Sequence, residues 1–459
     1  MRMFAAQRRA WKSPLTAAVA LTAAAIVSGQ QTPQQPSQPG EIATTISGRS
    51  AGTPPRFGVP DFLALSSDRD TRDAARSIAE ILWNDLDFER EFALIPRAAT
   101  AGIPPATSIA SPPLDRWREL SADGVIIGTI QRTGAGFRVE VRVFNVQTGA
   151  SAFGKQYEGP PSAVRRFAHT IADEVHQQQR NLRGVARTML AFSSDRDGES
   201  VAGGIGNRIA REVYVADYDG ENQRRVTSDR SLNTFLAWAP DGRSLVYTSY
   251  KNGPPSIFVS YLFERRAPQE ITKGTGQHWL PAWSPDGTRV AFSSTRTGNE
   301  EIYVMNRDGS NVRQLTNHPS DDGSPTWSPS GNQIAFRSDR SGMPEIYVMG
   351  ADGLGLQKLT SDGYADRPTW SPAPYNEVAY AVRPGNGTQI RIMDLATRES
   401  KQLTFEGTNE SPSFSPNGRH IAFASTRTGR SQVFTMDRDG RNVRQITRNG
   451  SNYQPDWSR

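Results

Sequence analysis

A chain of 459 residues exceeds what one hydrophobic core organises, because single cores stop growing at roughly 250–300 residues; at least two folded units are expected. Hydrophobic residues at 36% and charged residues at 22% exclude a disordered or membrane-embedded chain, and the absence of cysteine excludes a disulfide framework, a thiolate metal site and a lipidated N-terminus. Of the formal charge of +6, four cations fall within residues 1–29, leaving +2 for the remainder, so nucleic-acid binding is not expected.

Residues 1–29 read as a secretory signal: Arg2, Arg8, Arg9 and Lys12 precede the apolar run Leu15 to Val27 and the small residues Ser28 and Gly29. That run has 13 residues, short of the about 20 that a bilayer span needs, so no direct membrane span is expected. Residues 30–55 form an extension, Gln/Pro-rich from Gln30 to Gly40, which reads as an extended tether.

Residues 56–183 read as a small α/β domain. Phe57 to Phe62 is a short strand candidate. From Arg69 to Trp83, Ala74, Ala75, Ile78, Ala79 and Leu82 recur at helical spacing behind the cap candidates Asp68 and Asp70. Val125 to Ile130, Phe137 to Phe144 and Ser151 to Tyr157 alternate as strands, with hairpin turns at Gly134 to Gly136 and Gln147 to Gly149. A helix over Ala163 to Gln177 completes the unit.

Residues 184–459 carry an internal repeat. Trp238-Ala-Pro-Asp-Gly242, Trp283-Ser-Pro-Asp-Gly287, Trp327-Ser-Pro-Ser-Gly331, Trp370-Ser-Pro372, Phe414-Ser-Pro-Asn-Gly418 and Trp457-Ser458 follow one another at 45, 44, 43, 44 and 43 residues, the period of a propeller blade. One repeat reads as an inner strand over Pro281 to Ser284, then strands over Arg289 to Ser293, Glu301 to Met305 and Val312 to Thr316, a four-stranded blade. Thr188 to Ser194, Glu212 to Asp217 and Arg224 to Thr227 lack an inner strand, and Tyr453 to Ser458 is an inner strand with nothing after it. Joining the two ends gives six blades and removes the open sheet edges. The expected class is α+β: a small N-terminal α/β domain followed by a six-bladed all-β propeller closed by the C-terminal strand.

Trp-Ser-Pro-Asp-Gly, Ser-Thr-Arg-Thr-Gly (Ser294 to Gly298, Ser425 to Gly429) and Ile-Tyr-Val-Met (Ile302 to Met305, Ile346 to Met349) resemble the propeller repeats of the TolB family. Asp123 to Gly128, Arg138 to Phe144, Gly154 to Gly159 and Arg165 to Val175 resemble the small domain that precedes the propeller there. The resemblance implies a monomeric periplasmic protein of the Tol/Pal system that is not an enzyme and uses no cofactor. It further implies that the propeller binds a Pal-like peptidoglycan-associated lipoprotein and that the N-terminal segment binds a TolA-like inner-membrane protein, in support of outer-membrane integrity and constriction at cell division. Ile42, Thr45, Ile46 and Gly48 match that segment, and the chain departs from the pattern by placing Gln30 to Gly40 ahead of it.

A propeller presents partners with the loops that join each outer strand to the next inner strand, beside the loops between second and third strands. At the first of these loops stand His278, Trp279, Asp321, Asp322, Tyr364, Asp366, Arg367, Asn409, Glu410, Asn452 and Tyr453, a mixture of aromatic and charged residues that suits a polar protein interface. The blade tryptophans and Pro-Asp-Gly turns read as structure. So do Asp195 to Gly198, Asp217 to Gly220 and Asp437 to Gly440, which open like calcium loops but lack the later ligands. The five histidines show no metal-ligand spacing. Gly48-Arg-Ser-Ala-Gly52 resembles a nucleophile elbow but is followed by Thr53-Pro-Pro55, which forbids the helix an elbow needs. Two alternatives stand beside the binding module: an enzyme, a peptidase or lyase, with chemistry in the channel around His278, or a sensor holding a small ligand there.

Overall fold

The computed structural model describes residues 45–48, 52–201 and 208–459. The signal, most of the Gln/Pro-rich extension and part of the Gly48–Gly52 pattern lie outside them.

The α/β unit is a sheet of β1 (Arg56–Gly58), β2 (Leu63–Ala64), β3 (Ala93–Leu94), β4 (Gly124–Thr133), β5 (Gly136–Asn145) and β6 (Ser151–Gly159), in the order β3-β1-β4-β5-β6 with β2 beside β4. The first three pair parallel and the last three form an antiparallel meander. Helices α1 (Arg69–Glu89) and α3 (Val164–Arg180) pack together with the sheet in one core. Asp68 caps α1 by accepting the Thr71 N–H at 3.0 Å and its hydroxyl at 2.6 Å. A second core gathers the segment from Ile95 through the short helix α2 (Leu114–Glu119) against Val125, Ile127 and Phe144. Its centre is Trp117, whose ring lies so close to Gly58 that an added Cβ would sit 2.2 Å from it.

Helix α1 runs six residues past the expected Trp83, because Asp85 and Glu89, which break the apolar rhythm, are buried with Leu86 and Phe88. Their partners come from the propeller and, for Asp85, also from α3. Asp85 accepts from Tyr218 at 2.7 Å and lies 2.8 Å from His169 Nδ1. Glu89 accepts from the Val185 N–H at 3.1 Å and the Asn417 amide at 3.1 Å, with His420 Nε2 at 3.3 Å. Arg165 pairs with Asp217 at 2.7 Å and with Asp219, and Arg90 pairs with Asp437. The Asp-x-Asp-Gly turns therefore do more than turn the chain: in blades 1 and 6 their first aspartate holds the α/β unit, whereas blades 3 and 4, which do not face it, carry Asn306 and Gly350 there. That contrast is legible only once the repeats are aligned.

Six antiparallel four-stranded sheets form the ring. In blade 3 the strands are His278–Trp283, Arg289–Ser294, Glu301–Asn306 and Arg313–Gln314. The inner strand starts three residues earlier than expected, because proline does not open it; Leu280, with φ of 56°, makes a bulge ahead of Pro281 and pairing resumes at Ala282. Phe235, Ser324, Arg367, Ser411 and Gln454 repeat this left-handed bulge, at φ of 50–55°. The outer strand is shorter than expected because Thr316 turns its hydroxyl onto the ladder, accepting the Ile302 N–H at 2.9 Å.

Blade 1 is closed by the chain end: Asn452–Trp457 pairs with Met189–Ser194, from Asn452 opposite Ser194 to Trp457 opposite Leu190. The repeat tryptophans sit between blades, as Trp238 does between Val213 and Val215 of blade 1 and Leu245 and Tyr247 of blade 2. Each buried ring contributes at most about 4–6 kcal/mol of transfer free energy.

Candidate functional site: the open end of the ring

The α/β unit occupies one end of the ring, so the expected partner residues cluster at the other. Most stand at the first two positions of inner strands and not in loops, and they divide into two groups. Asp322, Asn409 and Asn452 are 0% exposed. Asn452 donates to Gln432 at 2.8 Å and to the Asn449 carbonyl at 3.0 Å, and accepts from Arg196 at 2.8 Å. Asn409 repeats this with Gln389 at 2.9 Å and Arg427 at 3.1 Å, and Asp322 takes Arg340 at 2.7 Å. Each arginine also leans on the rings of its own blade, Arg196 on Tyr214 at 4.4 Å and Arg427 on Phe434 at 5.0 Å. These three residues brace the loops from within; a side chain with no exposed atom gives a partner nothing to touch, which corrects the expectation of contact.

His278 takes the same position in blade 3 and is 2% exposed. Its Nδ1 lies 2.8 Å from Ser294 Oγ, while its Nε2 and Arg296 Nη2 have no hydrogen-bond partner among the described residues. Burial, helped by the Arg296 charge, lowers its pKa to about 4. The ring is enclosed, which removes the residue on which channel catalysis was to be built. A folded pKa below the unfolded value of about 6.5 gives stability that is complete above pH 6.5 and is lost as pH falls toward 4. His278→Asn, which copies blades 1 and 6, is expected to offer Arg296 an acceptor and to remove roughly 1–2 kcal/mol of acid sensitivity at pH 5, read from thermal unfolding at pH 5 and 8.

The second group is open to solvent. Trp279 is half-buried and donates its indole N–H to Glu300 at 2.8 Å. Asp321 accepts the Glu300 N–H at 3.2 Å. Arg337 lies 3.6 Å from Glu300 and 3.4 Å from Asp339, and burial raises the pKa of both carboxyls. Tyr364 lies under Arg383 at 3.8 Å and Tyr453 under Arg211 at 3.8 Å. Glu410 is exposed, as are Phe405 at 74% and Met343 at 52% on neighbouring loops. Asp366 accepts from Ser324 at 2.9 Å and from the Arg367 N–H at 2.7 Å, and Arg367 turns into the channel over the Phe235 ring at 4.3 Å. Sequence reasoning missed Glu300, Arg337, Arg383 and Arg211. Repeat alignment marks Arg337, since its equivalents are Ser193, Thr248, Ser293, Ala381 and Ala424.

In the N-terminal segment, Ile42 lies outside the described residues and Thr45 is exposed. Ile46 is 1% exposed, joins the core shared by α1, α3 and the propeller, and donates its N–H to Gln179 at 2.9 Å. Gly48 meets Thr53, whose carbonyl oxygen would lie 2.4 Å from an added Cβ. Among the described residues no group of three His, Cys, Asp or Glu is placed to hold a metal ion, and no helix is long and apolar enough to cross a membrane.

Two family models match: the TolB beta propeller domain over residues 182–459 and the TolB amino-terminal domain over residues 45–152. Proteins called Tol-Pal system protein TolB are similar in sequence. That of Desulfosudis oleivorans is 34% identical over 262 residues, 57% of each chain, and that of Bordetella parapertussis is 34% identical over 291 residues, 63% of this chain and 60% of the relative. The matched stretches thus span under two thirds of these relatives. The crystal structure of TolB from Acinetobacter baumannii superposes with a TM-score of 0.74 at 25% identity, covering 88% of this chain and 97% of that one. Fold, repeats and matched domains together establish that the chain belongs to the TolB family.

Proposed function

We propose that the protein is a non-catalytic periplasmic component of the Tol-Pal system, which binds a Pal-like peptidoglycan-associated lipoprotein at the open end of its propeller and a TolA-like inner-membrane protein through its N-terminal segment. The observation that carries the reading is the open end itself. Trp279, Tyr364 and Tyr453 are held in fixed orientations by Glu300, Arg383 and Arg211, so little side-chain entropy remains to be lost on binding. The buried bracing beneath them makes that surface rigid, and the enclosed His278 ring argues against channel catalysis. The docked Ile46 supports a second role: the segment around it is anchored to the seam between the two units, where a partner that pulls on it would act on both.

The test is titration calorimetry of the mature chain with a purified Pal-like domain from the same cell. Wild type is expected to bind at one site. Trp279→Ala and Tyr364→Ala are each expected to weaken binding at least tenfold, about 1.4 kcal/mol, while Asn417→Ala at the opposite end leaves it unchanged. Absence of binding by wild type overturns the reading.

A further inference from the structure

The ring encloses a cavity of ≈ 390 Å³, within the size range of small-molecule sites. Its lining begins at the six left-handed bulge residues, where Arg367 from blade 5 reaches across the channel to lie on Phe235 of the opposite blade 2. From that bolt it continues along the prolines and aromatic rings of the inner strands toward the α/β unit, where it reaches Arg183 and Arg459. The bolt separates this chamber from the surface that carries Trp279 and Tyr364. At the other end the same two arginines line a crevice alongside Gln177, Arg187 and two acids that are already paired, Asp173 with Arg187 and Glu174 with Lys155.

The chemistry at that mouth is specific. Neither the Arg183 nor the Arg459 guanidinium makes a hydrogen bond or ion pair with the described residues, while most arginines at the seam are committed: Arg165 to Asp217 and Asp219, Arg187 to Asp173, Arg419 to Glu89 and Glu91. The acid inside the chamber, Asp456, is already satisfied, accepting the Trp238 N–H at 2.7 Å and the Ser413 hydroxyl at 2.8 Å; it draws Arg459 without pairing with it. Burial holds Asp456 above its ordinary pKa. The chamber thus offers two free forked donors at its mouth and flat apolar walls, including the half-buried Trp370, behind them. Guanidinium forks suit carboxylate and phosphate oxygens, and ring and proline walls suit a flat apolar body.

We propose that this chamber is a binding site for a small organic anion, its acidic group held between Arg183 and Arg459 and its apolar body among the inner-strand rings. The site is separate from the partner surface. Arg183 stands in the link after α3, its carbonyl held by Asn417 at 3.0 Å, and Arg459 follows the strand that closes the ring. An anion bridging them would tie the link to the ring closure.

Calorimetry on the mature chain tests this, with 1-naphthoate as probe and the uncharged 1-naphthylmethanol beside it. One site for 1-naphthoate is expected, weakened at least tenfold by Arg183→Gln and by Arg459→Gln, with at least tenfold weaker binding of the uncharged probe. Thr369→Trp, which fills the chamber and leaves both arginines in place, is expected to abolish binding, and circular dichroism confirms that each variant is folded. Absence of 1-naphthoate binding, binding indifferent to both arginines, or equal binding of the two probes overturns the proposal. Capture of a Pal-like domain is expected to be unaffected by the arginine variants, so the chamber and the partner surface stand or fall separately.

Discussion

Ending the chain after Ser451 is expected to abolish the cooperative fold of the propeller, with loss of a single thermal transition and rapid proteolysis throughout residues 184–451. The removed strand is the inner strand of blade 1, paired with Met189–Ser194, and without it that strand exposes its unpaired ladder groups in the channel. Trp457, 3% exposed, leaves a void where its indole N–H donated to Thr188 at 2.7 Å; loss of a buried tryptophan alone costs roughly 3–5 kcal/mol. Asp456 leaves the Trp238 N–H and the Ser413 hydroxyl without their acceptor, so the neighbouring inner strands lose a brace on both sides. Asp456→Ala isolates that last effect and is expected to keep the fold at a cost of about 1–3 kcal/mol. If the truncated chain unfolds in one transition at the wild-type temperature, the closure contributes nothing and the ring is held by its other five junctions.

What was legible in the sequence follows from what repeats. The tryptophan spacing gave the blades, and the orphan strands at the two ends gave the closure, because a propeller has only one economical way to use them. The α/β strands were legible from their alternation, and Asp68 from its place before an apolar helical rhythm. Hidden features were those where one residue type serves two purposes. The inner-strand bulges were missed because Phe235, Leu280, Ser324, Arg367, Ser411 and Gln454 differ in side chain; the signal in the sequence is the proline that follows each of them except Phe235. The end of α1 was lost because Asp85 and Glu89 look like solvent-facing positions until the propeller is placed over them. At the candidate site, residue type placed the expected residues at one end of the ring but did not show which side chains face outward: Asn409 and Asn452 are as polar as Glu410, and only their pairing with Gln389 and Gln432 shows that they point inward. Arg367, expected at the partner surface, instead bolts the channel.

Glu89→Ala is expected to destabilise the junction of the two units by roughly 3 kcal/mol, since removing one member of a buried charged network leaves the others uncompensated: the Val185 N–H, the Asn417 amide and His420 lose an acceptor, and Arg419 loses an ion-pair partner. The same network makes the junction sensitive to pH. Burial alone would lower the His420 pKa, but the Asp437 carboxylate 3.3 Å from its Nδ1 and the hydrogen bond to Glu89 outweigh it and hold the pKa above its ordinary value. Burial would likewise raise Glu89 and Asp437, and His420 holds both below their ordinary range. A histidine raised above about 6.5 gives stability that is complete below pH 6.5 and lost as pH rises through its folded pKa; carboxylates held low give stability that is present above about pH 4.5 and lost in acid. The seam is therefore expected to be tightest between about pH 4.5 and 6.5. Other charges face His420 from each packed element: Asp87 and Arg90 from the end of α1, Glu91 after it, Arg419 beside it, and Arg444 from the outer strand, which pairs with Asp87 at 2.8 Å. The alkaline limb is assigned to His420, whose pKa is raised. Hydrogen exchange at residues 85–91 and 417–420 is expected to quicken from pH 6 to 8.5, after correction for the intrinsic rate, and His420→Gln is expected to flatten that rise. An unchanged rise in His420→Gln would move the titration to another group and leave the Glu89 network a static clasp.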